Sequence, residues 1–334
     1  MEHPKLLLAQ AQELKEELVA TRRHLHQHPE LSDMEFETAL FIERKLDEYD
    51  IPHRRIGDTG IVGIIRGVKG DGDTIALRAD IDALPITEKS SASYVSEHEG
   101  VMHACGHDAH TACLLAAARI LQNSRDLFRG EVRLFFQPAE ETGGAPKRFV
   151  ENGAIEGVSS IFGLHCAPDL PVGVIGLKPG LNNAAVDRFR IEILGKSSHA
   201  STPHLGVDAL YIASQTTVAL QAIVTRLSSP IEPLLIGVGK MSSGTIYNAV
   251  AADAFLEGTT RTINQKARLF IRQEIEKIAC ECAASFGGIA KVAFTEVTSA
   301  LINDPAINAM ATRTAVSLFG KDRVISNRAL SLNG

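Results

Sequence analysis

The sequence predicts an α/β fold: a mostly parallel sheet with helices on both faces, interrupted by a second domain of α+β type. Three observations predict it. Short β-rich runs at 60–67, 74–79, 131–137 and 159–164 alternate with helical stretches. Charged and metal-ligating residues follow those runs directly, where open α/β sheets place their sites. After residue 181 the order becomes strand, helix, strand, strand, helix, strand, which is the ferredoxin-like arrangement. At 334 residues the chain exceeds the size at which one core keeps growing, so two domains are expected. Residues 1–184 with 299–334 form the outer domain, and 185–298 an insertion into it.

Taken in order, residues 5–27 read as one amphipathic helix, with Leu7, Gln10, Leu14 and Leu18 among its acidic and basic residues, ending at His28-Pro29. A second helix, 35–49, has Ser32-Asp33 as its cap. The strand at 74–79 runs into Arg78-Ala79-Asp80-Ile81-Asp82. From Asp108 to about residue 122 the chain is rich in strong helix formers. The strand at 131–137 runs into Pro138-Ala139-Glu140-Glu141, and the strand at 159–164 delivers His165. In the insertion, strands are expected at 186–194, 233–240, 251–262 and 289–297, and helices at 207–227 and 265–286. A closing helix at 304–319 suits the outer sheet.

Composition narrows the function. Charged residues make up 22% of the chain and the net charge is −6 with both signs interspersed, which gives neither a nucleic-acid-binding surface nor a polybasic membrane surface. Glu13, Glu16 and Glu17 exclude a signal-peptide core, and no run approaches the ~20 apolar residues that span a bilayer. A cytoplasmic location is expected. The five cysteines are an odd set without a scaffold spacing, consistent with reduced thiols. Cys280-Glu281-Cys282 lies in a helical pattern and reads as buried packing.

The window Met102-His103-Ala104-Cys105-Gly106-His107-Asp108-Ala109-His110 is the densest in metal ligands. Gly106 tolerates backbone angles that other residues avoid, so a tight turn there could aim the Cys105 thiolate and the His107 imidazole at one ion. The start of the following helix favours a thiolate. For His103 and His110 a hydrogen-bonded structural role competes on equal terms with metal binding. Adjacent Glu140 and Glu141 repel one another unless a cation or distinct roles compensate.

The segments Arg23 to Ser32, Leu77 to Pro85, Met102 to His110, Gln137 to Glu141 and Gly163-Leu164-His165, in that order, resemble the dinuclear metallo-amidohydrolases of the aminoacylase/carboxypeptidase superfamily, the branch of N-acyl-amino-acid, hippurate and auxin-conjugate hydrolases. The resemblance covers essentially the whole chain. It implies that Cys105, His107, Glu141 and His165 hold two divalent metal ions (Mn, Zn, Co or Ni), with Cys105 bridging, and that Asp80 is an acid standing behind the ligands. It implies that Glu140 is the general base acting on a metal-activated water, and that the substrate is an N-acyl amino acid. It also implies that the inserted domain pairs two chains into a homodimer, with His199 reaching the partner's site to stabilise the oxyanion, and with Asn248 and Arg261 binding substrate.

The match departs from the family's pattern at three places. Ser197-Ser198 stand where the family usually has two glycines, and Ala251 where it has a proline soon after Asn248. For Arg261 a solvated strand-end cation is the competing reading. No residue after His204 is a histidine, whereas the family completes its metal site with a histidine near the C-terminus. A truncated, non-catalytic form is therefore one alternative, and a carboxypeptidase or dipeptidase on the same scaffold is another. Asp82, Asp108 and His110 are expected to be capping or network residues rather than ligands.

Overall fold

A computed structural model describes residues 2–326. The chain divides into two compact units, Met1–Ile175 with Arg313–Val324, and Gly176–Thr312 with Ile325–Gly334.

The first unit opens with α1 (Glu2–Glu13) and α2 (Lys15–Gln27). The single helix expected at 5–27 is broken at Leu14, whose ψ of 2° leaves the α region, although Leu18 N–H still donates to the Leu14 carbonyl. The next helix, α3 (Phe36–Glu48), is not capped by Ser32 or Asp33 as expected. Glu30 takes that role, its carboxylate accepting from Glu37 N–H at 3.2 Å and Thr38 N–H at 2.8 Å.

The sheet contains β1 (His53–Ile56), β2 (Gly60–Arg66), β3 (Thr74–Asp80), β4 (Glu131–Gln137) and β5 (Val158–Gly163), in the spatial order β1-β2-β4-β3-β5. β4, β3 and β5 run parallel, and the β1 and β2 pairings are antiparallel. β1, His-Arg-Arg-Ile, has no apolar alternation and carried no strand signal. In the parallel trio Asp80 lies opposite Gln137, and Arg78 opposite Gly163. Three loops therefore leave the same sheet edge, after Asp80, Gln137 and Gly163. Helices cover both faces. Ala39, Ile42 and Leu46 of α3 and Leu114, Leu115 and Ala118 of α4 (His107–Asn123) pack on Ile61, Leu134 and Phe136. On the other face Phe149 of α5 (Ala145–Glu151) packs on Val62, Ala76 and Phe135. Each large apolar side chain buried this way contributes about 1.5–3 kcal/mol.

Beyond β6 (Ile175–Gly176) and β7 (Gly180–Asn183), the second unit carries β8 (Ala185–Leu194), α6 (Ala209–Ala222), β9 (Leu234–Ser243), β10 (Asp253–Thr262), α7 (Gln265–Ser285) and β11 (Ile289–Thr298). The strand order β11-β8-β10-β9, antiparallel throughout, is the ferredoxin-like sheet. Asp208 and Asn264 cap α6 and α7, accepting from Tyr211 and Ala267 N–H. The helix expected at 207–227 ends in a π turn, Ile223–Leu227. Buried Arg268 grips buried Asp187 through two hydrogen bonds of 2.9 and 2.6 Å, so neither charge is left uncompensated. Cys280 is exposed and Cys282 half-buried, not packed in the core as expected, because the inward face of α7 belongs to Ile271, Ile275, Ala279 and Ala283. All five cysteines are free.

β12 (Leu301–Asn303) pairs with β7, and the closing helix α8 (Pro305–Phe319) begins in the second unit and ends in the first. β13 (Val324–Ile325) pairs with β6. Among the described residues no helix is long and apolar enough to cross a membrane.

Candidate metal centre

The three sheet-edge loops and the start of α4 converge. Gly106 precedes α4 at φ +93°, and a Cβ there would stand 3.2 Å from Cys166 Cβ and 3.3 Å from its Sγ. Only glycine suits both the left-handed turn and the close approach. The turn leaves Cys105 half-buried and sets fully buried His107 as the first helical residue.

His107 is shared by three sets of candidate ligands, within each of which the ligand atoms lie within 4.8 Å of one another: Cys105, His107 and His165; Asp80, His107 and His110; and His107, Glu140 and Glu141. Its Nδ1–H donates to the Asp82 carbonyl at 2.9 Å and lies 3.2 Å from Asp82 Oδ1, which turns Nε2 towards the cluster. His107 Nε2 is 3.6 Å from Asp80 Oδ2 and 3.9 Å from Glu141 Oε1. Both Nε2 and Oε1 are buried without a hydrogen-bond partner. His165 is held in the same way, its Nδ1–H donating to the Cys166 carbonyl at 2.8 Å while Nε2 lies 3.3 Å from Cys105 Sγ. The neighbouring His107 and His165 imidazoles lower the Cys105 thiol pKa.

His110 is a network residue. Its Nδ1–H donates to Asp80 Oδ1 at 2.6 Å and its Nε2 accepts from Cys166 N–H at 2.8 Å, so neither nitrogen is left for a cation. Burial opposes ionisation of Asp80, but that hydrogen bond and the charges of Arg78 and His107 outweigh it and hold the carboxyl well below its usual range. Burial lowers the His107 pKa, and the hydrogen bond with Asp82, the neighbouring Cys105 and the charge of Asp80 more than reverse this, to about 11. Burial first, then the charge of Glu141, raise the Glu140 pKa. His103 is buried, both ring nitrogens lack a partner, and desolvation drops its pKa to about 4.

Six of the nine site residues expected from sequence, Asp80, Cys105, His107, Glu140, Glu141 and His165, thus meet at one edge of the first sheet. The other three lie in the second unit. There His199 bridges Ala249, and Ala200 N–H donates to the Asn248 carbonyl at 3.0 Å, so His199 and Asn248 lie on adjoining antiparallel segments. His199 Nδ1 accepts from Ser201 N–H at 3.1 Å and from the Ser201 hydroxyl at 2.7 Å, which leaves the ring proton on Nε2. Arg261 is on β10, half-buried, donating to the Thr260 carbonyl at 3.1 Å.

Asp82 is the network residue that the sequence led one to expect. Beyond its grip on His107, its Oδ2 accepts from Ser32 Oγ at 2.7 Å and from Glu141 N–H at 3.0 Å. The segment from Glu30 to Glu35 braces the centre, with Ala83 N–H donating to the Glu30 carbonyl at 2.8 Å. The signal for this was that Glu30 and Ser32 fall within a motif.

A sheet edge that gathers a thiol, two outward-held imidazoles and paired glutamates, one with a raised pKa, defines a metallo-amidohydrolase. Residues 76–331 match peptidase family M20/M25/M40, and the chain belongs to that family. It is 45% identical over 298 residues to an N-acetyl-L-cysteine deacetylase of Bacillus subtilis, covering 89% of this chain and 71% of the relative. It is 41% identical over 269 residues to an N-acyl-L-amino acid amidohydrolase of Geobacillus stearothermophilus, covering 80% and 72%. A solved dinuclear metal-binding peptidase from Bacillus subtilis superposes with a TM-score of 0.83 at 36% identity, over 97% of this chain and 84% of that one.

Proposed function

We propose that the chain hydrolyses the amide bond of N-acyl amino acids with divalent cations held by Cys105, His107, Glu141 and His165. The observation that carries this is the pair of buried, unpartnered atoms, His107 Nε2 and Glu141 Oε1, 3.9 Å apart beside the Cys105–His165 pair. Such atoms are costly unless a cation takes them up, and a thiolate, imidazole and carboxylate set suits Zn, Mn, Co or Ni. Two such ions, when bound, would polarise the scissile carbonyl and acidify the attacking water.

Glu140 takes a proton from that water and passes it to the leaving amine. Its raised pKa fits a group that must both accept and release a proton. Asp80 and Asp82 orient the ligands. In residues 185–298, proposed as an inserted lid and dimerisation domain, His199 presents an Nε2–H donor suited to a developing oxyanion. Asn248 and Arg261 would bind the substrate, the guanidinium pairing with its carboxylate. A homodimer in the cytoplasm completes the reading.

The assay is release of free amino acid from a panel of N-acetyl and longer N-acyl amino acids with added Mn, Co, Ni or Zn. Turnover of this panel ahead of dipeptides is expected. Faster cleavage of dipeptides would favour the carboxypeptidase or dipeptidase reading, which the family's peptidases support. No turnover under any metal would end the proposal.

A further inference from the structure

We infer that Glu35 is a positioning residue that fixes the turn carrying Glu140. Glu35 is 0% exposed, although it stands at the start of α3, where a carboxylate normally faces water. It does not cap that helix, because Glu30 already accepts from Glu37 and Thr38 N–H. Its Oε1 instead accepts from Ala139 N–H at 2.8 Å and from Asp33 N–H at 3.0 Å. Ala139, at φ +48°, and Asp33, at φ +65°, are two of the three non-glycine residues with positive φ among those described. One buried oxygen therefore pins two left-handed residues from distant parts of the chain. An alanine in that conformation persists only when its surroundings impose it.

Ala139 immediately precedes Glu140. On the far side of Glu140, Glu141 N–H donates to Asp82 Oδ2 at 3.0 Å. The peptide that precedes Ala139 and the one that follows Glu140 are thus anchored by buried carboxylates from separate segments. Among the described residues the Glu140 carboxylate itself has no hydrogen-bond partner, so its direction is set by its backbone. Burying a carboxylate that leaves Oε2 unpartnered costs stability, and burial indeed raises the Glu35 pKa. Positioning of Glu140 is the return on that cost.

The inference rests on Glu140 being the base, and its test separates the two claims. In the metal-loaded enzyme, Glu35→Leu, which keeps bulk and removes the acceptor, should lower kcat roughly a hundredfold, as expected when a reacting group is misplaced. KM and bound metal should stay nearly unchanged, and Ala139 N–H should lose protection from hydrogen exchange. Glu35→Gln keeps an acceptor oxygen and should stay within about threefold of the parent kcat. Adding Ala139→Gly to Glu35→Leu should recover at least about tenfold, since glycine adopts the left-handed turn unaided. Unchanged kcat in Glu35→Leu, beside an inactive Glu140→Gln, overturns the inference. So does a double variant no better than Glu35→Leu alone. If Glu140→Gln keeps its kcat, the assignment of the base fails instead, and exchange at Ala139 still reports whether Glu35 pins the turn. Should Glu35→Leu not fold, Glu35→Gln with an exposed Ala139 amide and unchanged kcat is the overturning result.

Discussion

The site residues of the first unit and those of the second are held by opposite means. Around His107 most supports are buried partners from other parts of the chain: Asp82 on His107 and on Glu141 N–H, His110 on Asp80, Glu35 on Ala139; exposed His165, held by the carbonyl of the next residue, is the exception. His199 is exposed and held by Ser201, two residues on, beside an isolated bridge to Ala249. Low-dielectric surroundings make the first set of contacts strong and expensive to lose, and solvent makes the second set weak and easy to rearrange. The difference separates chemistry that needs fixed geometry from a donor that needs only the right ring proton.

The largest effect expected from this contrast is at His103. Its ring is buried without a partner and must stay neutral, with a pKa of about 4 against 6.5 unfolded. A depressed folded pKa means that the stability is fully present above pH 6.5 and is lost as pH falls towards 4. The loss from this one group reaches about 3 kcal/mol at the acid end. Urea unfolding of the parent and of His103→Phe across pH 4–7 should show the parent's acid slope flattened in the variant. Identical slopes would mean that burial does not dominate this region.

Asp82→Ala should come next. Removing the acid that orients His107 and anchors the Glu141 peptide should weaken metal binding by roughly 10–100-fold, measured by competition with a chelating dye, with the folded far-UV spectrum retained. Affinity unchanged within a factor of two would show that the Asp82 carbonyl alone orients the ring.

The same contrast explains what could be read from the sequence. Cys105-Gly106-His107 and Glu140-Glu141 announced themselves because their chemistry is adjacent in the chain, and Gly106 does adopt the left-handed turn its position required. The ferredoxin-like order was legible because six elements repeat the periodicities of strand and helix. Asp82 was expected as a network residue but its partners were not legible, and Glu35 was not legible as a brace at all. An acid that accepts from a backbone N–H far away in sequence looks the same as one facing water, and nothing local marks Ala139 as left-handed. The break at Leu14 and the exposure of Cys280 were missed for a related reason, since helical periodicity fixes a face but not where a helix bends or which face is covered.

The smallest effect should be at Ser201. Ser201→Ala removes the hydroxyl donated to His199 Nδ1 but keeps the N–H at 3.1 Å, so the Nε2–H form should remain the major tautomer. Losing one exposed hydrogen bond out of two should lower kcat/KM by about threefold, while 15N shifts of the labelled ring show a larger share of Nδ1–H. His199→Gln, which also offers an N–H, should cost more, because its amide is not turned by the same two donors. If Ser201→Ala instead costs as much as Asp82→Ala, the His199 turn is held as tightly as the buried centre. The rule that exposed donors tolerate loose support would then fail for this protein.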